Sequence, residues 1–265
     1  MSIYKQLSER LGSSFEAAQL LEMVTGRTGR DEAVSEEQQI KLEELCRRRL
    51  AGEPLQYLLG EWEFYSLPFY VGPGVLIPRP DTEALVDVAL ELGKTIEHPE
   101  VLDLCAGSGC IGIAVAHHLP EASVTAVELS GEAFPYLLRN VERNASRVRA
   151  IQADALTYTH PKPVDMILSN PPSIPAGELP TLQAEVQREP AMALDGGTDG
   201  LDFYRALTLR SLELLAPGGW LCFEVGIHQS GPVQKNLAAL GFTDIGVRKD
   251  YGGTPRVVFG RNSPA

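Results

Sequence analysis

From Val101 onward the chain alternates strand-like and helix-like segments, and that alternation leaves few folds open to it. Apolar, β-prone runs fall at 101–104, 123–128, 147–151, 164–169, 220–225, 244–249 and 256–260. Between them, helical spacing marks segments around 110–119, 131–143, 201–215 and 230–240. Strands that take turns with helices build a doubly wound, mostly parallel sheet. Only residues 250–255 join the last two strands, too few for a crossover helix, so that pair is expected to be antiparallel.

The first part of the chain reads differently. Phe15, Ala18, Leu20, Leu21 and Val24 recur at helical spacing, and Gly26 is placed to stop that helix. Ser35-Glu36-Glu37-Gln38 is a capping box opening a second helix with Ile40, Leu42, Leu45 and Leu50, which Gly52 and Pro54 end. Residues 61–78 turn aromatic and β-prone (Trp62, Phe64, Tyr65, Phe69, Tyr70) and are broken by Pro68 and Gly72-Pro73-Gly74. They read as a β-hairpin linker. Asp81 or Thr82 is expected to cap a helix from Glu83 to Leu92. Three units follow: a helical domain over 1–60, the linker over 61–78, and an α/β domain over 79–265.

Composition narrows the class. With 44% apolar and 22% charged residues, the chain is an ordinary globular protein. No apolar run approaches the roughly 20 residues that span a bilayer. The segment from Met1 to Gln6 lacks the basic and apolar blocks of a leader. Cys46, Cys105, Cys110 and Cys222 show no metal-type pairing, so a cytoplasmic, metal-free and membrane-free protein is expected. A net charge of −12 argues against direct nucleic-acid binding. Arg47-Arg48-Arg49, the one dense basic cluster, reads as a solvated helix face or as a contact surface for a partner.

Two strand ends carry the chemistry. After the first strand of the α/β domain comes Cys105-Ala106-Gly107-Ser108-Gly109, a tight turn leading into a helix N-terminus with free N–H groups. Gly107 to Gly112 satisfies G-x-G-x-x-G, and Glu128 ends the next strand about twenty residues on, where a carboxylate can accept ribose hydroxyl protons. These features fit NAD and S-adenosylmethionine equally. Asp154, followed by Ala155 after the third strand, is placed to bond an adenine amino group. The fourth strand runs into Asn170-Pro171-Pro172-Ser173. Neither proline donates a hydrogen bond, so the segment is stiff and its carbonyls are free. One amide side chain beside bare carbonyls suits a planar NH2 group held next to a sulfonium methyl, a task with no counterpart in hydride transfer.

These residues resemble those of the bacterial release-factor glutamine methyltransferases, the HemK-type family. The resemblance runs over nearly the whole chain and is carried by Gly72 to Glu83, Val101 to Gly112, Ser169-Asn170-Pro171-Pro172, and Glu189 to Leu201. It implies a seven-stranded, Rossmann-like class I methyltransferase domain with a small N-terminal helical bundle that engages a release factor. It also implies S-adenosylmethionine as methyl donor, and the side-chain nitrogen of glutamine in a Gly-Gly-Gln loop as acceptor. Cys105, Ala106, Gly107, Ser108, Gly109, Glu128, Asp154, Ala155 and Asn170 would hold the cofactor. Asn170, Pro171, Pro172 and Ser173 would hold the substrate amide, with Asn170 and Pro171 catalytic. Arg79, Asp81 and Glu83 are placed to line the groove where a protein substrate enters, since their segment joins the two domains; Asp81 and Glu83 read equally as helix-start residues.

Two positions depart from the family pattern. Cys105 stands where the turn usually begins with glycine, which a cysteine can do at negative φ. Ser173 replaces a usual tyrosine, which opens the slot or leaves a neighbour to fill it. A protein-glutamine methyltransferase acting on another translation protein, such as a ribosomal protein, is the nearest alternative. A cofactor-binding homologue impaired by Ser173 is the next. An adenine methyltransferase of DNA would need an aromatic at Ser173 to stack on a flipped base. A monomer is expected.

Overall fold

Four helices open the chain: α1 (Ile3–Leu11), α2 (Ser14–Thr25), α3 (Glu36–Leu50) and α4 (Leu55–Leu59). The structure is a computed structural model and describes residues 2–29 and 33–263; the parts of the sequence units at 1, 30–32 and 264–265 lie outside the described residues. Serine hydroxyls cap the first three helices, and Ser35 with Gln38 forms the expected capping box. Gly26 closes α2 at φ 70°. Leu7, Ala17, Leu20, Leu21, Leu42, Leu45, Leu55 and Leu58 form a core of their own. Phe15, Ile40 and Leu50 lie outside that core, from 56% to 66% exposed.

Strands β1 (Glu61–Phe64) and β2 (Leu67–Tyr70) pair antiparallel through a two-residue turn in which Tyr65 and Ser66 both take positive φ. A 3-10 turn at Pro80–Thr82 leads into α5 (Glu83–Gly93). The expected cap is absent there. Thr82 makes no capping bond and Asp81 pairs instead with Arg256 at 3.0 Å, because the 3-10 turn already supplies backbone bonds at the helix start.

The sheet comprises β3 (Glu100–Leu104), β4 (Ser123–Glu128), β5 (Arg149–Gln152), β6 (Val164–Ser169), β7 (Leu215–Glu224), β8 (Thr243–Lys249) and β9 (Pro255–Arg261). Its order is β5-β4-β3-β6-β7-β9-β8, parallel up to β7. As expected, β8 and β9 pair antiparallel, and β9 inserts between β7 and β8. Helices α6 (Cys110–His118) and α7 (Phe134–Arg143), with α5, pack on one face. After the short α8 (Ala191–Leu194), α9 (Asp202–Leu214) and α10 (Ser230–Ala239) pack on the other. Both faces of β3 and β6 are therefore buried, which explains their continuous apolar runs.

The helical unit and the sheet unit touch through specific side chains. Tyr57 on α4 donates its hydroxyl proton to the Val75 carbonyl at 2.6 Å. Arg49 bridges Glu16 at 2.8 Å and Glu185 at 2.9 Å, while Arg47 and Arg48 pair with Glu44 and Glu53. Each arginine of the basic cluster is thus occupied by a carboxylate.

Candidate functional site

The chain crosses from β3 through β4 to β5 in one direction along the sheet, then returns to lay β6 on the other side of β3. The crevice of an open α/β sheet forms at such a reversal, beyond the carboxyl ends of the strands. Leu104 and Ser169 are partners in register, and the Ser169 hydroxyl donates to the Leu104 carbonyl at 2.7 Å. This buried bond fixes the two strand ends together. The Cys105 turn and Asn170 therefore start side by side.

Gly109 has φ 81° and a Cβ there would lie 2.4 Å from Leu137 Cδ1, so only glycine lets the turn enter α6. Cys105 has φ 61°, which corrects the expectation of a negative value. The turn keeps its left-handed backbone where the side chain is no longer glycine, at a cost of about 1–2 kcal/mol. Burial pushes the Cys105 and Cys110 thiols up to about 12, so both stay protonated and neither is a nucleophile at neutral pH.

Glu128 is buried and held by two backbone donors. Gly107 N–H reaches Oε2 at 2.6 Å and Ser130 N–H reaches Oε1 at 2.7 Å. Each carboxylate oxygen keeps a second lone pair, so the group is oriented and still able to accept two more protons. Asp103, fully buried on β3, accepts from Gly112 N–H at 2.9 Å through Oδ2, while Oδ1 has no partner among the described residues. Burial pushes its carboxyl up to about 7, with the Gly112 bond opposing and the Glu128 charge adding. Asp154 Oδ1 accepts from Leu156 N–H at 2.9 Å, which fixes that side chain on the far side of the crevice.

These residues converge on one cleft. Cys105, Ala106, Gly107, Ser108, Glu128, Asp154, Ala155, Asn170 and Pro172 line it. Gly109, Pro171 and Ser173 are not on its wall. Among the described residues the Asn170 side chain has no hydrogen-bond partner, so its amide faces the cleft unclaimed. No histidine lines the cleft, and among the described residues no group of three or more metal-ligating side chains gathers.

A second segment closes the cleft. Glu189 is 5% exposed; its Oε2 accepts from Ile77 N–H at 2.9 Å and its Oε1 pairs with Arg79. Two of the stretches singled out by sequence, Gly72 to Glu83 and Glu189 to Leu201, are thereby joined at one edge. Arg79 lines the cleft, whereas Asp81 pairs with Arg256 and Glu83 accepts from Tyr65 N–H at 2.9 Å. Those two carboxylates hold structure rather than the groove.

Ser173 is held by its backbone. Its N–H donates to Leu194 O at 3.1 Å, and its carbonyl accepts from Gln229 Nε2 at 2.7 Å. Gln229 Oε1 accepts in turn from Gly226 N–H and the Tyr204 hydroxyl. Phe203 and Met192 add apolar wall to the cleft. Sequence reasoning missed Phe203, Met192 and Gln229. Met192 lay inside a stretch already singled out, but Phe203 and Gln229 sit on helix starts with no local signal of their own.

The geometry has parallels among known proteins. The PrmC N-terminal domain family matches residues 3–60 and the methyltransferase small domain family matches residues 82–188. A release factor glutamine methyltransferase of Geobacter sulfurreducens is 46% identical over 218 residues, covering 82% of this chain and 76% of that protein. One from Salmonella typhimurium is 38% identical over 253 residues, covering 92% and 91%. The crystal structure of a methyltransferase from Pyrococcus furiosus shares the fold at 20% identity with a TM-score of 0.52, over 76% of this chain and 91% of that one.

Proposed function

The chain belongs to the release factor glutamine methyltransferase family, and on that premise we propose that it methylates the side-chain amide nitrogen of the glutamine in the Gly-Gly-Gln loop of a peptide chain release factor. S-adenosylmethionine is the methyl donor. The observation that carries the reading is the unclaimed Asn170 amide, set beside the Cys105 turn at the sheet reversal.

The residues present suit that donor. Glu128 has lone pairs left for two ribose hydroxyls, and Asp154 stands across the cleft with one carboxylate oxygen free for an adenine amino group. A Cβ at Gly107 would meet nothing within 4 Å, so that backbone faces open space. When bound, the donor supplies an electrophilic methyl carbon. An amide nitrogen is a weak nucleophile because its lone pair is delocalised into the carbonyl, so the chain's contribution is position. Asn170 Oδ1 and the Pro171 carbonyl accept the two substrate N–H bonds and aim the nitrogen at near-attack distance. The same acceptors favour the positive charge that grows on nitrogen. Phe203 and Met192 flank the slot where the family tyrosine is absent, and Ser173 contributes through its anchored backbone.

In this reading the helical unit over residues 1–60 engages the release factor, with the hairpin of 61–78 as linker. Exposed Phe15, Ile40 and Leu50 give that unit apolar contact area, and the Tyr57 and Arg49 bonds tie it to the cleft rim. The protein acts as a cytoplasmic monomer without direct nucleic-acid contact. No helix among the described residues is long and apolar enough to cross a membrane. The test is transfer of a labelled methyl group to purified release factor, with the loop glutamine replaced as control.

A further inference from the structure

Glu224 ends β7 one residue beyond the last rung that β7 shares with β6. In that rung Ser169 pairs with Phe223, so Asn170 and Glu224 follow on neighbouring strand ends. Two residues earlier, Leu168 and Cys222 pair with each other and enter the core beneath α5 and α6. Side chains two apart share a face, so Glu224 points toward the start of α5. Thr82 stands there, on the cleft wall with Asn170. The Thr82 hydroxyl and Glu224 Oε2 are both buried and face each other short of a formed hydrogen bond, and neither has another hydrogen-bond partner among the described residues. Leaving a buried polar atom unpaired costs about 1–3 kcal/mol. Two such oxygens, one on the cleft wall and one directly behind it, point to a proton that moves there.

We propose that Glu224 receives, by way of the Thr82 hydroxyl, the proton lost from the acceptor nitrogen during methyl transfer. The role rests on the methyl-transfer reading above. In the step, the amide nitrogen lone pair forms the new N–C bond and the C–S bond breaks, its electron pair passing to sulfur. As positive charge grows on nitrogen, one N–H proton leaves the acceptor that held it before the reaction and moves to the Thr82 oxygen as the Thr82 hydroxyl proton moves to the Glu224 carboxylate. The products are an N-methyl amide, a neutral thioether and a carboxylic acid, which later returns its proton to water.

The surroundings suit a group that can hold either state. Arg256 from β9 and Arg79 from the loop before α5 face Glu224, with Asp81, Cys110 from α6 and Tyr204 from α9, whose hydroxyl donates to the Glu224 backbone carbonyl at 3.0 Å. Arg256 is itself shared with Asp81 at 3.0 Å and Asp250 at 3.1 Å, so its charge is mostly spent. Burial pushes the Glu224 carboxyl up to about 7, opposed by the nearby Thr82 hydroxyl and by Arg256. At neutral pH a sizeable fraction is therefore the base form, and its conjugate acid releases a proton readily.

The test uses the full chain with release factor and S-adenosylmethionine. Wild-type transfer is measured first, since its absence would defeat the methyl-transfer reading itself rather than this role. Given transfer, Glu224→Gln is expected to lower kcat about tenfold or more, with cofactor Kd unchanged by calorimetry, and to abolish the rise of kcat with pH near 7. Carboxyl 13C NMR of the cofactor-free protein should show one glutamate titrating near 7 that is missing in Glu224→Gln. Thr82→Val should lower kcat likewise, with Thr82→Ser restoring it. A kcat within twofold of wild type and an unchanged pH profile in Glu224→Gln would overturn the role. If that variant does not fold, an unchanged kcat in Thr82→Val overturns it equally.

Discussion

The Ser169 hydroxyl donates to the Leu104 carbonyl at 2.7 Å, buried between the ends of two adjacent parallel strands. That one bond sets the register at the point where the Cys105 turn and the Asn-Pro-Pro segment leave the sheet. The catalytic claim about Asn170 depends on it, because a side chain with no bonds of its own is placed by its backbone.

Asn170→Ala should separate chemistry from stability. Its side chain has no partner among the described residues to leave unsatisfied, so Tm should move by less than about 2 °C, within the range of ordinary surface substitutions. Methyl transfer should fall by about 100-fold or more through kcat, as when one preorganised polar group is removed. A thermal melt and a rate assay on the same preparation check both halves.

Glu189→Ala should unfold the cleft edge first. It leaves Ile77 N–H without its acceptor and Arg79 without its carboxylate. Removing one partner of a buried pair costs about 3–5 kcal/mol. Urea denaturation should show a loss of that order, and Glu189→Gln should recover part of it because an amide oxygen still accepts from Ile77. Equal stability of all three proteins would contradict the seam.

Cys105 offers a backbone test. At φ 61° glycine removes the steric cost while giving up the packing of a partly buried thiol, so Cys105→Gly should stay within about 1 kcal/mol of wild type. Cys105→Val places a β-branched side chain in the same left-handed conformation and should cost about 2 kcal/mol or more. Chemical denaturation of the pair decides it, with cofactor affinity retained in the glycine variant.

Asp103 gives a pH signature. Its folded-state value, pushed up to about 7, lies above the ordinary aspartate value of 3.8, so the carboxyl destabilises the fold once it must ionise. Its favourable contribution is complete below about pH 4 and is lost as pH rises through 7. The difference in unfolding free energy between wild type and Asp103→Asn, measured without cofactor, should shift against wild type across that window. A flat difference would mean the carboxyl is not held in the dry site described.

Phe203 and Ser173 address the slot together. Phe203→Ala should lower kcat/KM for release factor by about tenfold, the order expected for losing a buried aromatic contact of a few kcal/mol in part. Ser173→Tyr should raise kcat/KM severalfold by adding aromatic surface. An unchanged value in the tyrosine variant would show that Phe203 and Met192 already close the slot.

Much of this was legible before any coordinates. The doubly wound sheet followed from the alternation of strands and helices after Val101, and the antiparallel close of the sheet followed from the brevity of residues 250–255. The capping box at Ser35 and the stop at Gly26 were local signals and fell where expected. The misses share a cause. Positive φ at Cys105, the pairing of Asp81 with Arg256, and the joining of Ile77 to Glu189 across more than a hundred residues are tertiary facts that no local pattern encodes. Glu224 was silent for the same reason, and Thr82 stood out only as a candidate helix cap, since a lone acid at a strand end gains meaning only from what the sheet sets beside it.

Purified protein, labelled S-adenosylmethionine and a release factor should give one methyl group per factor on the glutamine of the Gly-Gly-Gln loop, and none when that glutamine is replaced by alanine. Label retained in the replaced factor, or no transfer from a protein that binds the cofactor, would contradict it.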